Sequence, residues 1–234
     1  MRLRLILTVA CLLSSSPTPS GADDAQIYVK KLEATYKHAK TLEAVFLQEY
    51  SESGRVERSE TGTAYFRRPG RMRWQYKAPE QNLFVVDGKF AWFYVPADHT
   101  VSRVAVRESS DWRTPLALLA GEMKVSRVCG IVKLAQDQPK DAALARLECT
   151  IRGTERDKKT GKPHDTAYFE VVKETGELDR VVVTSAGGVR MDMRFSRWKL
   201  DPPVEEFFFH FQPPKGVAIV DGDQLLPGPG SGLR

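Results

Sequence analysis

The chain has 234 residues, 41% of them hydrophobic, and carries 35 Lys and Arg against 30 Asp and Glu, a formal net charge of +5. That length suits one β-rich domain of roughly 200–250 residues. The charge excess is mild and holds no basic run or arginine-rich helix, which speaks against nucleic acid as a partner and permits at most weak attraction to anionic headgroups.

Met1 to Ala22 reads as a secretory signal peptide. Arg2 and Arg4 precede an apolar stretch from Leu5 to Leu13, and Ser20-Gly21-Ala22 offers small residues at a cleavage site. The apolar stretch is too short to span a membrane, and no later segment approaches the ~20 apolar residues a span needs. The mature protein is therefore expected to be exported and soluble. Cys11 opens a second reading, lipid attachment, but Thr8-Val9-Ala10-Cys11 lacks the usual leucine three positions before the cysteine.

A helix is expected next, capped by Asp23 or Asp24, with Ala25, Tyr28, Leu32, Tyr36 and Ala39 at three- and four-residue steps. From Thr41 the period changes to two, and strands are expected at 42–52, 56–68, 71–77, 82–87, 90–95 and 100–107. Ser53-Gly54, Pro69-Gly70, Ala78-Pro79 and Asp87-Gly88 punctuate them. Thr114-Pro115 then starts a short apolar helix, Leu116 to Ala120, that stops at Gly121. Further strands are expected at 124–134, 143–152, 166–173, 178–185, 189–199, 205–211 and 217–220. Gly153–Asp165 is polar and Lys-rich and reads as a surface loop, and 223–234 is Gly/Pro-rich and reads as a disordered tail. One domain over 23–222 follows: a helix, then a long antiparallel meander that must roll up to bury its inner face.

Strict alternation in Arg71-Met72-Arg73-Trp74-Gln75-Tyr76 separates an aromatic face from a charged one. Phe66, Met72, Trp74, Tyr76, Phe84, Val86, Trp92 and Tyr94 are assigned to the aromatic face. One amphipathic helix and one apolar turn cover little of a sheet of about twelve strands, so the residues leave two outcomes open, a filled core or a cavity for an apolar ligand. Arg68 shares its face with Phe66 and Ala64. It either snorkels to the rim or donates to free carbonyls at the end of the short helix, at Leu118–Ala120. Arg67 points to the other face and reads as ordinary surface.

Cys129 and Cys149 remain in the mature chain without a CxxC or a histidine at ligand spacing, so neither a metal site nor a cofactor is expected and a structural disulfide is. A hairpin centred on Pro139 would set the two cysteines opposite each other, with Ile131 facing Leu147 and Arg127 facing Ile151. No Gly-x-Ser-x-Gly occurs, and no Gly-x-x-x-x-Gly-Lys, so neither a serine nucleophile nor an ATP site is indicated. An enzyme is not expected.

Gly62, Phe66, Arg68-Pro69, Arg73-Trp74, Asp87-Gly88-Lys89 and Trp92-Phe93-Tyr94 follow one another in a pattern that resembles the periplasmic outer-membrane lipoprotein carrier (LolA) family. Phe46-Leu47-Gln48, Thr114 to Leu119 and Phe209 to Val217 fit the same family in the same order, over roughly residues 25 to 220. The resemblance implies a mainly β fold with an α lid: a single incomplete, half-open antiparallel β-barrel of about 11–12 strands covered by short helices. It implies a cavity for acyl chains that adds Leu116, Leu118 and Leu119 to the aromatic face, with Arg68 as the lid latch. It further implies a periplasmic chaperone that shuttles acylated lipoproteins from the inner to the outer membrane. The expected partners are an inner-membrane lipoprotein-releasing ABC transporter complex and an outer-membrane receptor lipoprotein. Gly121-Glu122-Met123-Lys124 departs from the pattern by leaving little room for a further short helix after the lid, and the cysteines and the 153–165 loop look like additions. Two rivals share the fold: a receptor anchored through Cys11, and a lipid-sensing envelope-stress regulator. The regulator would carry a further interaction domain, which is not expected here after Val220.

Overall fold

Alternation of apolar and polar residues from Thr41 onward builds one sheet. In the computed structural model, which describes residues 21–106, 117–121, 124–152, 166–184 and 188–221, that sheet has twelve strands. They are β1 (Thr41–Glu52), β2 (Arg55–Arg67), β3 (Arg71–Ala78), β4 (Leu83–Val86), β5 (Phe90–Val95), β6 (Thr100–Ala105), β7 (Cys129–Leu134), β8 (Leu144–Ile151), β9 (Thr166–Val172), β10 (Leu178–Thr184), β11 (Val189–Leu200) and β12 (Ala218–Asp221). Their order across the sheet is β12-β6-β5-β4-β3-β2-β1-β11-β10-β9-β8-β7. All neighbours pair antiparallel except β12, which lies parallel to β6. Among the described residues β7 and β12 are the two edges of the sheet, which is open. The fold is mainly β with a few short helices.

Helix α1 (Gly21–Tyr36) starts ahead of Asp23 and Asp24, so neither residue is its cap. It buries Ala25, Val29, Leu32 and Tyr36 along one stripe. A helix of 16 residues is about 24 Å long. Lys31 Nζ and Thr35 Oγ1 reach the Lys173 and Thr175 carbonyls at the β9–β10 turn, and Glu33 Oε1 accepts the Val125 N–H beside β7. Arg68, just past β2, bonds the chain that follows the same helix. One short helix touches such distant strands because the sheet curls around it. Gly176 permits that approach: its φ is +77°, and a Cβ there would sit 2.6 Å from the Lys31 carbonyl.

Helix α2 (Ala117–Ala120) and helix α3 (Val125–Val128) follow β6 and precede β7. Within the strand expected over 124–134, 125–128 is helical because Val125 and Val128 both bury, three residues apart on one side. Within the strand expected at 205–211, Glu206–Phe209 is a 3-10 turn. That stretch belongs to a strap, 201–217, that carries the chain from β11 across the outer face of the sheet to β12. The guanidinium of Arg67 donates to the Val204 carbonyl, Arg71 pairs with Glu206, and Arg73 donates to the Phe208 carbonyl while lying 4.5 Å from that ring's centre. Arg67 is thus a fastener of the strap and not ordinary surface. Phe209 is fully buried beneath the strap, whereas Phe207 is 74% exposed.

The expected signal segment up to residue 20, Leu116, the 153–165 loop and the tail from 223 lie outside the described residues.

Candidate acyl-binding face

The register fixes which side chains share the inner face. Phe66 lies opposite Met72 and Leu42, Trp74 opposite Ala64 and Phe84, Phe84 opposite Phe93, and Val86 opposite Met72 and Ala91. Phe66, Met72, Trp74, Tyr76, Phe84 and Val86 therefore come together in one buried cluster, joined by Leu118 and Leu119 from α2. Ring contacts knit it: Phe46 stands 4.8 Å from Trp74 and 5.2 Å from Tyr76, and Phe195 stands 6.1 Å from Trp74. Edge-on packing of this kind adds about 0.5–1.5 kcal/mol per pair beyond burial.

Trp92 and Tyr94 do not belong to this face. The Asp87 carboxylate accepts the Lys89 and Phe90 N–H groups and closes a three-residue turn, so Val86 pairs with Ala91 and the inner positions of β5 fall on Ala91 and Phe93. Trp92 and Tyr94 face outward, 5.7 and 5.9 Å from Phe211 of the strap, and Trp92 Nε1 donates to Asp87 Oδ2. Burial raises the Asp87 pKa, but the Phe90, Trp92 and Lys89 donors outweigh it and hold the carboxyl below its ordinary value.

Several inner-face residues escaped the sequence reading as members of the face. Leu42, Ala44, Phe46, Gln48 and Tyr50 alternate on β1, and Met191, Met193 and Phe195 on β11; the same two-residue period that exposed β3 marks both runs. Gly62 makes room for Phe46: a Cβ at that position would lie 2.8 Å from the Phe46 ring and 2.1 Å from the Gln75 carbonyl. Towards the β1–β2 turn the face becomes polar. Tyr76 OH donates to Gln48 Oε1, Gln48 Nε2 donates to Glu60 Oε2, and Arg58 pairs with Glu60. Gln48 and Glu60 are only 1% and 5% exposed, so this network is inside the fold and not at its surface.

Arg68 points to the apolar side, but its partners differ from those expected. Its Nη1 donates to the carbonyls of Lys37 (3.0 Å) and Ala39 (2.7 Å), at the C-terminal end of α1, and not to the 118–120 carbonyls. The end of α2 is held instead by the backbone, through the Gly70 N–H to the Ala120 carbonyl at 2.7 Å. A tight Pro69-Gly70 turn can present an amide where a long side chain was expected. Burial lowers the Arg68 pKa, and Asp201 opposes that shift. Asp201 itself accepts the Lys40 and Thr41 N–H groups, which lower its pKa. Arg68 and Asp201 thus tie the α1–β1 connection from two sides.

Cys129 and Cys149 are joined by a disulfide, with Cα atoms 5.4 Å apart. The hairpin register differs from the one expected: Cys129 pairs with Ile151, Val132 with Cys149 and Leu134 with Leu147, with an irregularity at Gly130. The bridge is diagonal, and Ile131 faces solvent. Trp198 packs 5.1 Å from Tyr36 and 5.4 Å from Phe195 and donates to the Leu178 carbonyl.

A curled open sheet with an aromatic inner face under short helices defines a half-barrel of the kind that encloses apolar matter without closing strand to strand. Residues 37–212 match the family described as outer membrane lipoprotein carrier protein LolA, and the chain belongs to that family. Outer-membrane lipoprotein carrier proteins of Nitrosomonas europaea and Psychromonas ingrahamii are 28% and 29% identical to it. Those matches cover 94% and 93% of this chain and 98% of each relative. The fold is shared with an uncharacterised conserved protein of Thermus thermophilus, at a TM-score of 0.51 and 14% identity over 85% of this chain and 99% of that one. Among the described residues no helix is long and apolar enough to cross a membrane.

Proposed function

We propose that this protein is a periplasmic carrier that takes up the acyl anchors of lipoproteins at the inner membrane and delivers them to the outer membrane. Phe66, Met72, Trp74, Tyr76, Phe84 and Val86 form the wall against which the chains lie, and Leu118 and Leu119 form the lid. One observation carries the reading: the aromatic face is covered by short helices, and α2 meets the sheet through a backbone hydrogen bond at Gly70. A cover of that kind can lift without breaking a strand pair.

The energetics call for enclosure. Each buried CH₂ is worth about 0.8 kcal/mol, so two or three long chains would cost on the order of 24–36 kcal/mol to expose to water. The chain has no nucleotide-binding loop, so work of extraction falls to a partner, an inner-membrane ABC transporter complex, and an outer-membrane receptor lipoprotein takes the cargo. The carrier itself performs no bond chemistry and needs no cofactor.

Native mass spectrometry of protein purified from its envelope tests the reading. Adducts with the masses of acylated polypeptides are expected, and depletion of the protein should leave lipoproteins on the inner membrane. Adduct-free protein together with an unchanged lipoprotein distribution would overturn it.

A further inference from the structure

Two of the three tryptophans among the described residues have their indole N–H engaged. Trp92 Nε1 donates to Asp87 Oδ2 and Trp198 Nε1 to the Leu178 carbonyl, each at 2.8 Å. Trp74 differs. It is 0% exposed, in the middle of the inner face, and its Nε1–H has no acceptor among the described residues. The rings around it, Phe46, Phe66 and Phe195, offer no lone pair. Further along the same strand face the polar atoms are matched to one another, Tyr76 to Gln48 and Gln48 to Glu60. A buried donor without an acceptor is uncommon and destabilises the protein that holds it.

We propose that the Trp74 Nε1–H is the donor for a carbonyl oxygen at the head of a bound acyl chain. The inference rests on the inner face being the acyl site. A hydrocarbon tail satisfies phenyl walls but leaves an N–H unmatched. The acceptors that an acyl anchor brings are its ester and amide carbonyls, one for each chain. A donor set among phenyl rings therefore selects acyl chains over plain alkyl chains. It also fixes how deep a chain sits, with the carbonyl at Trp74 and the methylenes along the rest of the wall.

The test compares a diacyl lipopeptide with an analogue whose esters are replaced by ether links of equal length. The wild type should bind the ester form about five- to tenfold more tightly. In Trp74→Phe, which keeps a large ring and loses the donor, that ratio should fall towards one. In the wild type, the Trp74 indole N–H resonance should move downfield on loading the ester form and stay in place with the ether. The same pair built on glycerol without a peptide separates a free membrane lipid from a lipoprotein anchor as the source of the carbonyl. Equal affinities in the wild type with an unmoved indole resonance would overturn the proposal and leave the carrier reading standing. Failure of both lipopeptides to bind would instead remove the acyl site itself.

Discussion

Replacing Arg68 by leucine tests what this side chain does for the connection between α1 and β1. The change removes two hydrogen bonds, to the Lys37 and Ala39 carbonyls. Bonds from a charged donor contribute about 1.5–3 kcal/mol each, and the exposed one to Lys37 takes the low end, so about 3–5 kcal/mol is lost. Against this, Nε and Nη2 of Arg68 are buried with no acceptor among the described residues. Leucine relieves that desolvation, about 1–3 kcal/mol, and adds apolar contact beside Phe66. The net destabilisation is about 1–3 kcal/mol. It should be local, because the main-chain bond from Arg68 N–H to the Lys40 carbonyl and the Asp201 carboxylate still hold the connection. Urea unfolding gives the global figure, and hydrogen exchange over residues 36–41 the local one, where amides should exchange about tenfold faster. Unaltered exchange at the end of α1, or a global loss above about 5 kcal/mol, would refute the assignment of Arg68 to that helix.

Three further outcomes are expected. Phe209→Ala should cost about 3–5 kcal/mol in chemical denaturation, since the ring fills the space between strap and sheet, while Phe207→Ala at its exposed neighbour should stay within about 0.5 kcal/mol; equal effects would refute the strap packing. Asp201, whose pKa is lowered by the Lys40 and Thr41 N–H groups, contributes stability above its unfolded pKa near 3.9 and loses it as pH falls through the lower folded value. The stability gap between wild type and Asp201→Asn should accordingly be widest near neutrality and narrow below about pH 4, and a gap constant down to pH 2 would contradict the assignment. Removing the Cys129–Cys149 bridge, which closes a loop of sequence separation 20, should cost roughly 3 kcal/mol, and two free thiols in the denatured exported protein would show that the bridge does not form.

The sheet was legible because its signal is local: a two-residue period and turn residues, read strand by strand, place eleven of the twelve strands within two residues of their positions, while β7 starts five residues later than expected. What failed was non-local. The faces of β3 follow from alternation alone, but those of β5 depend on how many residues the Asp87 turn consumes, and a difference of one residue moves Trp92 and Tyr94 to the other side of the sheet. The strap shows the same limit. Phe207-Phe208-Phe209 is apolar enough to read as a strand, and only the guanidinium groups of Arg67, Arg71 and Arg73 across the fold show that the segment's carbonyls and carboxylate are taken by side chains. Arg68 bonds the carbonyls after α1 and not those of α2, and choosing between two helix ends as acceptors needs their relative positions in space.

The strap also bears on how such a fold could open. In this protein the outer face is fastened by an ion pair, two guanidinium-to-carbonyl bonds, a cation–ring contact and a fully buried Phe209. On the inner side α2, a single turn of helix beside α1 and α3, is bonded at its end through Gly70. A carrier must release its cover without unravelling its sheet, and local opening follows the path with the fewest buried contacts. Rigid fastening behind β2 and β3 keeps the wall of Phe66, Met72 and Trp74 in register while the face in front of it is uncovered. In the proposed carrier, Arg67, Arg71 and Arg73 would hold the wall in place while the aromatic side opens. If the inner face is the acyl site proposed above, loosening the strap should weaken acyl binding from behind, without altering any residue of that face.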